Sequence, residues 1–195
     1  MTAAVREAFT RRVAPGLALV EAADAVARAC HDMARRFHRG GRLIVFGNGG
    51  TATDSQHIVV EFIHPVVVGK RALPAVALTN DIAAVTGIAR AVGFDEVFAA
   101  QLRLIAEPDD IALGLSADGR CVNVGRALDA ARELGLLTVA LVAGEDGAAR
   151  LDGRADHVLA AETDDPCIAK EVFVTTYHIL WELVHVLLER PGGPR

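Results

Sequence analysis

Cysteine is scarce: Cys30, Cys121 and Cys167 are the three in 195 residues, too few and too scattered for a disulfide framework or a cysteine-based metal site. A basic excess is missing as well. With 20 Lys and Arg against 25 Asp and Glu, net −5, the chain has no electrostatic footprint for nucleic acid. Uninterrupted apolar runs are also absent. Arg6, Glu7, Arg11 and Arg12 break the opening segment before a secretory core forms, and the most apolar stretch, 168–188, carries Lys170, Glu171, His178, Glu182 and His185. There is no repeat, no low-complexity tract and no linker, and only the tail, 191–195, reads as disordered. These absences predict a soluble cytoplasmic protein with no membrane and no nucleic-acid partner. Its length suits one α/β domain with a real core.

What is present centres on residues 43–64. An apolar strand, Leu43-Ile44-Val45-Phe46, runs into a glycine-rich corner, Gly47-Asn48-Gly49-Gly50-Thr51, and then into a helix. A strand that reaches a helix N-terminus through glycines leaves N–H groups and a partial positive charge where an anion can sit. His57 and Glu61, four residues apart, share one face of that helix, with Asp54 and His64 extending the row and Ile58, Val59, Phe62 and Ile63 opposite. The same row is what a solvated helix face would show. Gly47, Gly49 and Ala52 also satisfy a permissive dinucleotide fingerprint; the acidic residue wanted about 20 positions on is replaced by the basic pair Lys70-Arg71, which weakens that reading but would suit a phosphorylated ribose.

Along the rest of the chain, residues 3–39 read as helical with a break near Pro15-Gly16. Their stripe of Ala22, Ala25, Val26, Ala29 and Met33 suits packing on a partner subunit. Further strands are expected at 75–78, 111–115, 137–142 and 157–160, with helices at 82–91, 94–105, up to Leu134, and 165–189. Alternating strands and helices predict a parallel sheet with right-handed crossovers. Asn80 and Asp81 follow the second strand, where ligands of open parallel sheets gather, although one of them can equally cap the next helix.

The glycine corner, His57 and Glu61, the loop from Ser116 and His178 in the last helix together resemble the sugar-isomerase (SIS) fold, nearest to the phosphoheptose isomerases. A replication-initiator-associated SIS protein is a sister type. The resemblance covers nearly the whole chain and implies a three-layer, flavodoxin-like α/β sandwich with a five-stranded parallel sheet. It divides the single SIS domain, 1–195, into an N-terminal helical extension for oligomerisation, 1–40, and a core, 41–190, assembled as a homotetramer. It implies interconversion of sedoheptulose 7-phosphate and a heptose phosphate, often with zinc. By position, Asn48, Gly49, Gly50 and Thr51 would touch the sugar phosphate together with Asn80, Asp81, Ser116, Asp118, Arg120, Cys121 and Lys170. His57, Glu61 and His178 would be metal ligands, with Glu61 the catalytic base and His178 its partner. Aldose–ketose isomerisation through an enediol needs such a base, an acid and positive charge near the oxygens.

The chain departs from the family pattern twice. The family's hydroxyl-rich phosphate loop keeps only Ser116, with Ala117, Asp118 and Cys121 in hydroxyl positions. Each hydrogen bond lost to a charged group is worth about 1.5–3 kcal/mol, and a carboxylate about 4 Å from a phosphate repels it by up to about 4 kcal/mol near a surface. Arg120 offsets part of this, and Asp118 is expected to cap the following helix. Second, Lys170 stands where the isomerases place a metal-binding Gln, eight residues before His178. An ammonium has no lone pair to offer a metal. Lys170 is therefore expected to pair with Glu61 in a metal-free site. These departures keep open a second reading, a non-catalytic SIS protein that binds a phosphosugar or a protein partner. His185 is expected to be a structural or surface residue rather than a ligand.

Overall fold

Five short apolar runs, most of them buried on both faces, pair side by side because a residue alternating into two covered layers has no polar face to offer water. The computed structural model describes residues 1–190, so the tail, 191–195, expected to be disordered, lies outside the described residues. The strands β1 (Leu43–Gly47), β2 (Ala75–Ala77), β3 (Ile111–Ser116), β4 (Leu137–Ala143) and β5 (His157–Ala161) form one all-parallel sheet in the order β2-β1-β3-β4-β5. The five-stranded α/β sandwich expected from the sequence is the fold found.

The helices divide by face. α2 (Ala23–His38), α3 (Gly50–Ile63) and α8 (Pro166–Glu189) cover one face around Phe37, Val45, Phe62, Leu113 and Phe173. α4 (Ile82–Val92), a 3-10 turn (Phe94–Glu96), α5 (Ala99–Ile105), α6 (Val122–Glu133) and α7 (Glu145–Leu151) cover the other around Ile44, Phe46, Phe98, Leu128 and Val142. The helix after β1 therefore leaves one side of the sheet and the helix after β3 leaves the opposite side. Since β1 and β3 are neighbours, a crevice opens between their C-terminal ends, the switch point where open α/β sheets take ligands.

Two expectations about the N-terminal segment change. Pro15 lies inside α1 (Thr2–Glu21) and the break falls at Ala22, because on an exposed helix the carbonyl freed by proline is left to water. Of the alanine-rich stripe, Val26, Ala29 and Met33 belong to α2 and are buried in the chain's own core with Cys30, Ala34 and Phe37, so they do not face a partner, while Ala22 at the break and Ala25 are half-buried. The segment 94–105 is likewise a 3-10 turn followed by a separate helix, and Ile63 is exposed rather than packed. Helix α8 is the one described helix long and apolar enough to cross a membrane, yet Phe173, Tyr177, Leu180 and Val184 bury it against the sheet layer. Asp165 starts it, its carboxylate accepting from the N–H groups of Cys167 and Ile168, with Pro166 as its first residue.

Candidate active site

The glycine corner is built by close approach. A Cβ on Gly47 would stand 2.5 Å from the Thr51 hydroxyl and 3.0 Å from the Leu115 carbonyl, so no side chain fits between β1 and β3 there. The Thr51 hydroxyl accepts from the Asn48 N–H and donates to the Asn48 carbonyl, both at 2.9 Å, which fixes the turn. Gly49 occupies the N-cap of α3 with φ +55, a conformation glycine adopts without strain, and no side chain caps the helix. The open helix end presents its dipole to the crevice. Across the crevice, the side-chain amides of Asn48 and Asn123 bond reciprocally at 2.8 and 3.0 Å, which ties the corner to the first turn of α6.

His57, Glu61 and His178 meet beside this corner. One donor atom from each lies within 4.8 Å of the others. His57 Nε2 is 3.3 Å from Glu61 Oε1, and the His57 and His178 rings stand edge to face with centroids 5.2 Å apart. His57 and Glu61 are half-buried and His178 is exposed, so the group opens to solvent on the His178 side. Two imidazoles and a carboxylate are a zinc donor set, and an open side is what a catalytic metal keeps for water or substrate. The three residues present therefore fit a zinc ion.

Lys170 does not join them. Its ammonium donates to Asp54 Oδ1 at 2.6 Å and to the Gly50 carbonyl at 2.9 Å, with the Thr53 hydroxyl at 3.4 Å. The expected pairing with Glu61 is thus corrected. α3 and α8 both follow parallel strands on one face of the sheet, so they run in the same direction and Lys170 meets the start of α3. Glu61 lies seven residues beyond Asp54, about 10.5 Å along the helix at 1.5 Å per residue.

The other expected site residues divide. Ser116 ends β3 wholly buried, and its hydroxyl has no hydrogen-bond partner among the described residues. The second oxygen of buried Asp54 and the hydroxyl of Thr79 are unpaired too. All three lie at the end of the molecule where the strands finish. Asp118 does not cap α6: its carboxylate accepts from the Arg120 N–H at 3.0 Å and sits 3.8 Å from the Arg120 guanidinium, while Cys121 holds the N-cap without a side-chain bond. Asp81 does cap, accepting from the Ala84 N–H at 3.0 Å, and Asn80 beside it is exposed at the end of β2. His185 is structural, its ring nitrogens 2.8 Å from the Trp181 carbonyl and 2.9 Å from the Arg71 carbonyl.

Tyr177, Trp181 and Asn123 were not singled out from the sequence. The Tyr177 hydroxyl lies 2.6 Å from His57 Nδ1, and Trp181 Nε1 donates to the Glu61 carbonyl at 2.9 Å. Burial, with the charges of Asp54 and Glu61 adding to it, raises the Tyr177 phenol above its ordinary value, so it stays protonated. Both aromatics read as core residues in an apolar helix. Their usable signal was the parallel course of α3 and α8, which brings residues 177 and 181 beside 57 and 61 in order.

Residues 8–143 match the SIS domain family. A phosphoheptose isomerase of Solidesulfovibrio magneticus is 41% identical over 86% of this chain and 81% of that relative, and one from Crocosphaera subtropica is 37% identical over 83% and 81%. Among solved structures, a phosphoheptose isomerase from Francisella tularensis superposes with a TM-score of 0.88 at 26% identity, covering 95% of this chain and 98% of that one. That from Neisseria gonorrhoeae gives 0.85 at 26%, covering 94% and 97%. The match takes in the corner, the His57 helix and most of the N-terminal helices, and by it the chain belongs to the SIS-domain family, among relatives named phosphoheptose isomerase.

Proposed function

We propose that this chain is an aldose–ketose isomerase of a phosphosugar, acting on sedoheptulose 7-phosphate as the names of its relatives indicate. The observation that carries this is the convergence of His57, Glu61 and His178, from two helices, beside an uncapped helix N-terminus at the β1/β3 switch point. Glu61 removes the proton from carbon 1 of the ketose and returns it to carbon 2, while His178 exchanges the proton between the two oxygens. Proton transfer by positioned groups of this kind contributes about 10²–10⁴-fold. His57, Glu61 and His178 would hold zinc, which when bound polarises the substrate carbonyl. A carboxylate has two oxygens, so holding a metal through one leaves the other as a base.

The sugar phosphate is bound by the corner of Asn48, Gly49, Gly50 and Thr51 and by the loop of Ser116, Asp118, Arg120 and Cys121. In that loop Arg120 and the α6 N-terminus supply the positive charge. Asn80 and Asp81 border the sugar end, and Lys170 adds a fixed cation at the Gly50 carbonyl. Ser116 supports this reading because its buried hydroxyl is left without a partner at the crevice. The chain is one SIS domain, 1–195, its core at 41–190 and residues 1–40 an oligomerisation extension. We take it to work in the cytoplasm as a homotetramer.

The test is incubation with sedoheptulose 7-phosphate, with and without added zinc, followed by phosphorus NMR for the aldose. Turnover that falls by about 10²-fold or more in Glu61→Gln is expected. No aldose from zinc-loaded protein overturns the reading.

A further inference from the structure

We infer that Tyr177 is a positioning residue that holds the His57 ring in one orientation through either of two hydrogen-bond polarities, an inference that rests on the proposed site. The geometry is narrow. Tyr177 is 1% exposed, its hydroxyl is 2.6 Å from His57 Nδ1, and its ring packs edge-on against both His57 and His178 at centroid distances of 5.3 and 4.9 Å. The opposite nitrogen of the same imidazole, Nε2, is the one 3.3 Å from Glu61. Nδ1 is thus used by tyrosine alone among the described residues, and because the hydroxyl serves either polarity the ring keeps its orientation whether Nε2 meets Glu61 or a cation.

A phenol hydroxyl both donates and accepts, which a carboxylate or a carbonyl does not. When Tyr177 donates to Nδ1, the neutral ring carries its proton on Nε2 and presents an N–H to Glu61. When Nδ1 carries the proton and donates to the Tyr177 oxygen, Nε2 presents a lone pair, the form a metal ligand needs. The two forms are neutral tautomers of one ring with equal proton counts: taking up a cation at Nε2 releases that proton to solvent and Nδ1 gains one from it. Tyr177 remains protonated in both, so no charge is created in the buried layer around it. Partners that fix the far nitrogen of a ligating histidine change metal affinity or activity by about 10–100-fold when removed.

Tyr177→Phe keeps the ring and deletes only the hydroxyl. The nitrogen-15 spectrum of the His57 ring, assigned by its loss in His57→Gln, reads the tautomer with no metal or substrate present. The wild-type ring is expected with its proton on Nε2, beside Glu61, and with the Nδ1 signal shifted by its hydrogen bond to Tyr177; the variant is expected to lose that shift. Competition with a chromophoric zinc chelator is expected to show zinc affinity lowered about 10–100-fold in the variant, with KM for the sugar phosphate within twofold while kcat falls. A wild-type Nδ1 with the signal of a ring nitrogen free of any hydrogen bond overturns the inference without recourse to the variant. So does a variant with the wild-type Nδ1 signal and zinc affinity within twofold. Should wild-type protein take up no zinc, the metal reading fails, and the Nδ1 comparison still decides for or against Tyr177.

Discussion

At Lys170 the ammonium had two carboxylates on α3 within the reach of sequence reasoning, Asp54 and Glu61, and the course of the helices chose Asp54. Asp54 is 3% exposed, and Lys170 is the partner of one of its oxygens while the other has none among the described residues. Lys170→Met removes that partner and leaves a buried carboxylate. Urea unfolding is expected to show a loss of about 1–3 kcal/mol, and Asp54→Asn in the same background should recover part of it. Zinc affinity is expected to stay within twofold, because the ammonium does not touch the His57, Glu61 and His178 donors. A large change in zinc affinity with stability intact would place Lys170 at the metal instead. Thiol labelling gives a second check at this scale. Burial pushes the Cys30 thiol up to about 12, whereas Cys167 is exposed. Cys167 is expected to react with a maleimide at neutral pH in the folded protein and Cys30 only after unfolding, as mass spectrometry of digested peptides will report.

Among the elements, the 3-10 turn after α4 is tied to both α5 and α6 through Glu96. Glu96 accepts from Arg103 of α5 at 2.9 Å and from Arg126 of α6 at 2.8 Å, and these hydrogen bonds hold its carboxyl below the usual 4.5. A carboxyl lowered by folding adds stability that is complete above its unfolded value and is lost as pH falls through its lower folded value. Glu96→Gln is therefore expected to lower the thermal midpoint near neutrality and to narrow its gap from wild type as pH drops below about 4. A gap that is constant with pH would mean the clamp is steric. The elements most legible in the sequence were those with a period to read. β1, β3 and β4 are continuous apolar runs, and α8 has Asp165 and Pro166 to start it. Elements set by tertiary contact were not legible. α7, seven residues containing Gly147, has too few turns to show a stripe. Its position depends on close approaches that leave no room for a Cβ: one on Gly119 would stand 2.6 Å from the Gly147 carbonyl, and one on Gly147 would stand 2.7 Å from the Val142 side chain and 3.3 Å from the Asp118 backbone. His57 and Glu61 were readable because i, i+4 spacing places them together, whereas His178 came only from the resemblance to the isomerases. Tyr177 was not readable, because its role comes from the register between two helices that are distant in sequence.

Over the whole molecule, α1 leaves surface that its own fold does not cover. Val5, Phe9, Val13, Leu17 and Val20 recur every three or four residues along one side and are 51–71% exposed, and none of the helix is buried. α1 is anchored to α8 by Arg12, whose guanidinium donates to both oxygens of Glu171 at 2.7 and 3.0 Å, so the stripe is held at a fixed angle to the body. Covering five such side chains is worth on the order of 5 kcal/mol per subunit, a driving force for association. Sedimentation equilibrium is expected to give a tetramer for the wild type. Phe9→Glu with Leu17→Glu places two charges in the stripe and is expected to yield a smaller species with unchanged far-ultraviolet circular dichroism, because no core residue is altered. If isomerase turnover survives in that smaller species, each subunit holds a complete centre. If turnover is lost while the His57 tautomer and zinc affinity persist, a neighbouring subunit completes the sugar phosphate site beyond the His57, Glu61 and His178 group. A wild type that sediments as a monomer at the same concentration removes the role assigned to residues 1–40.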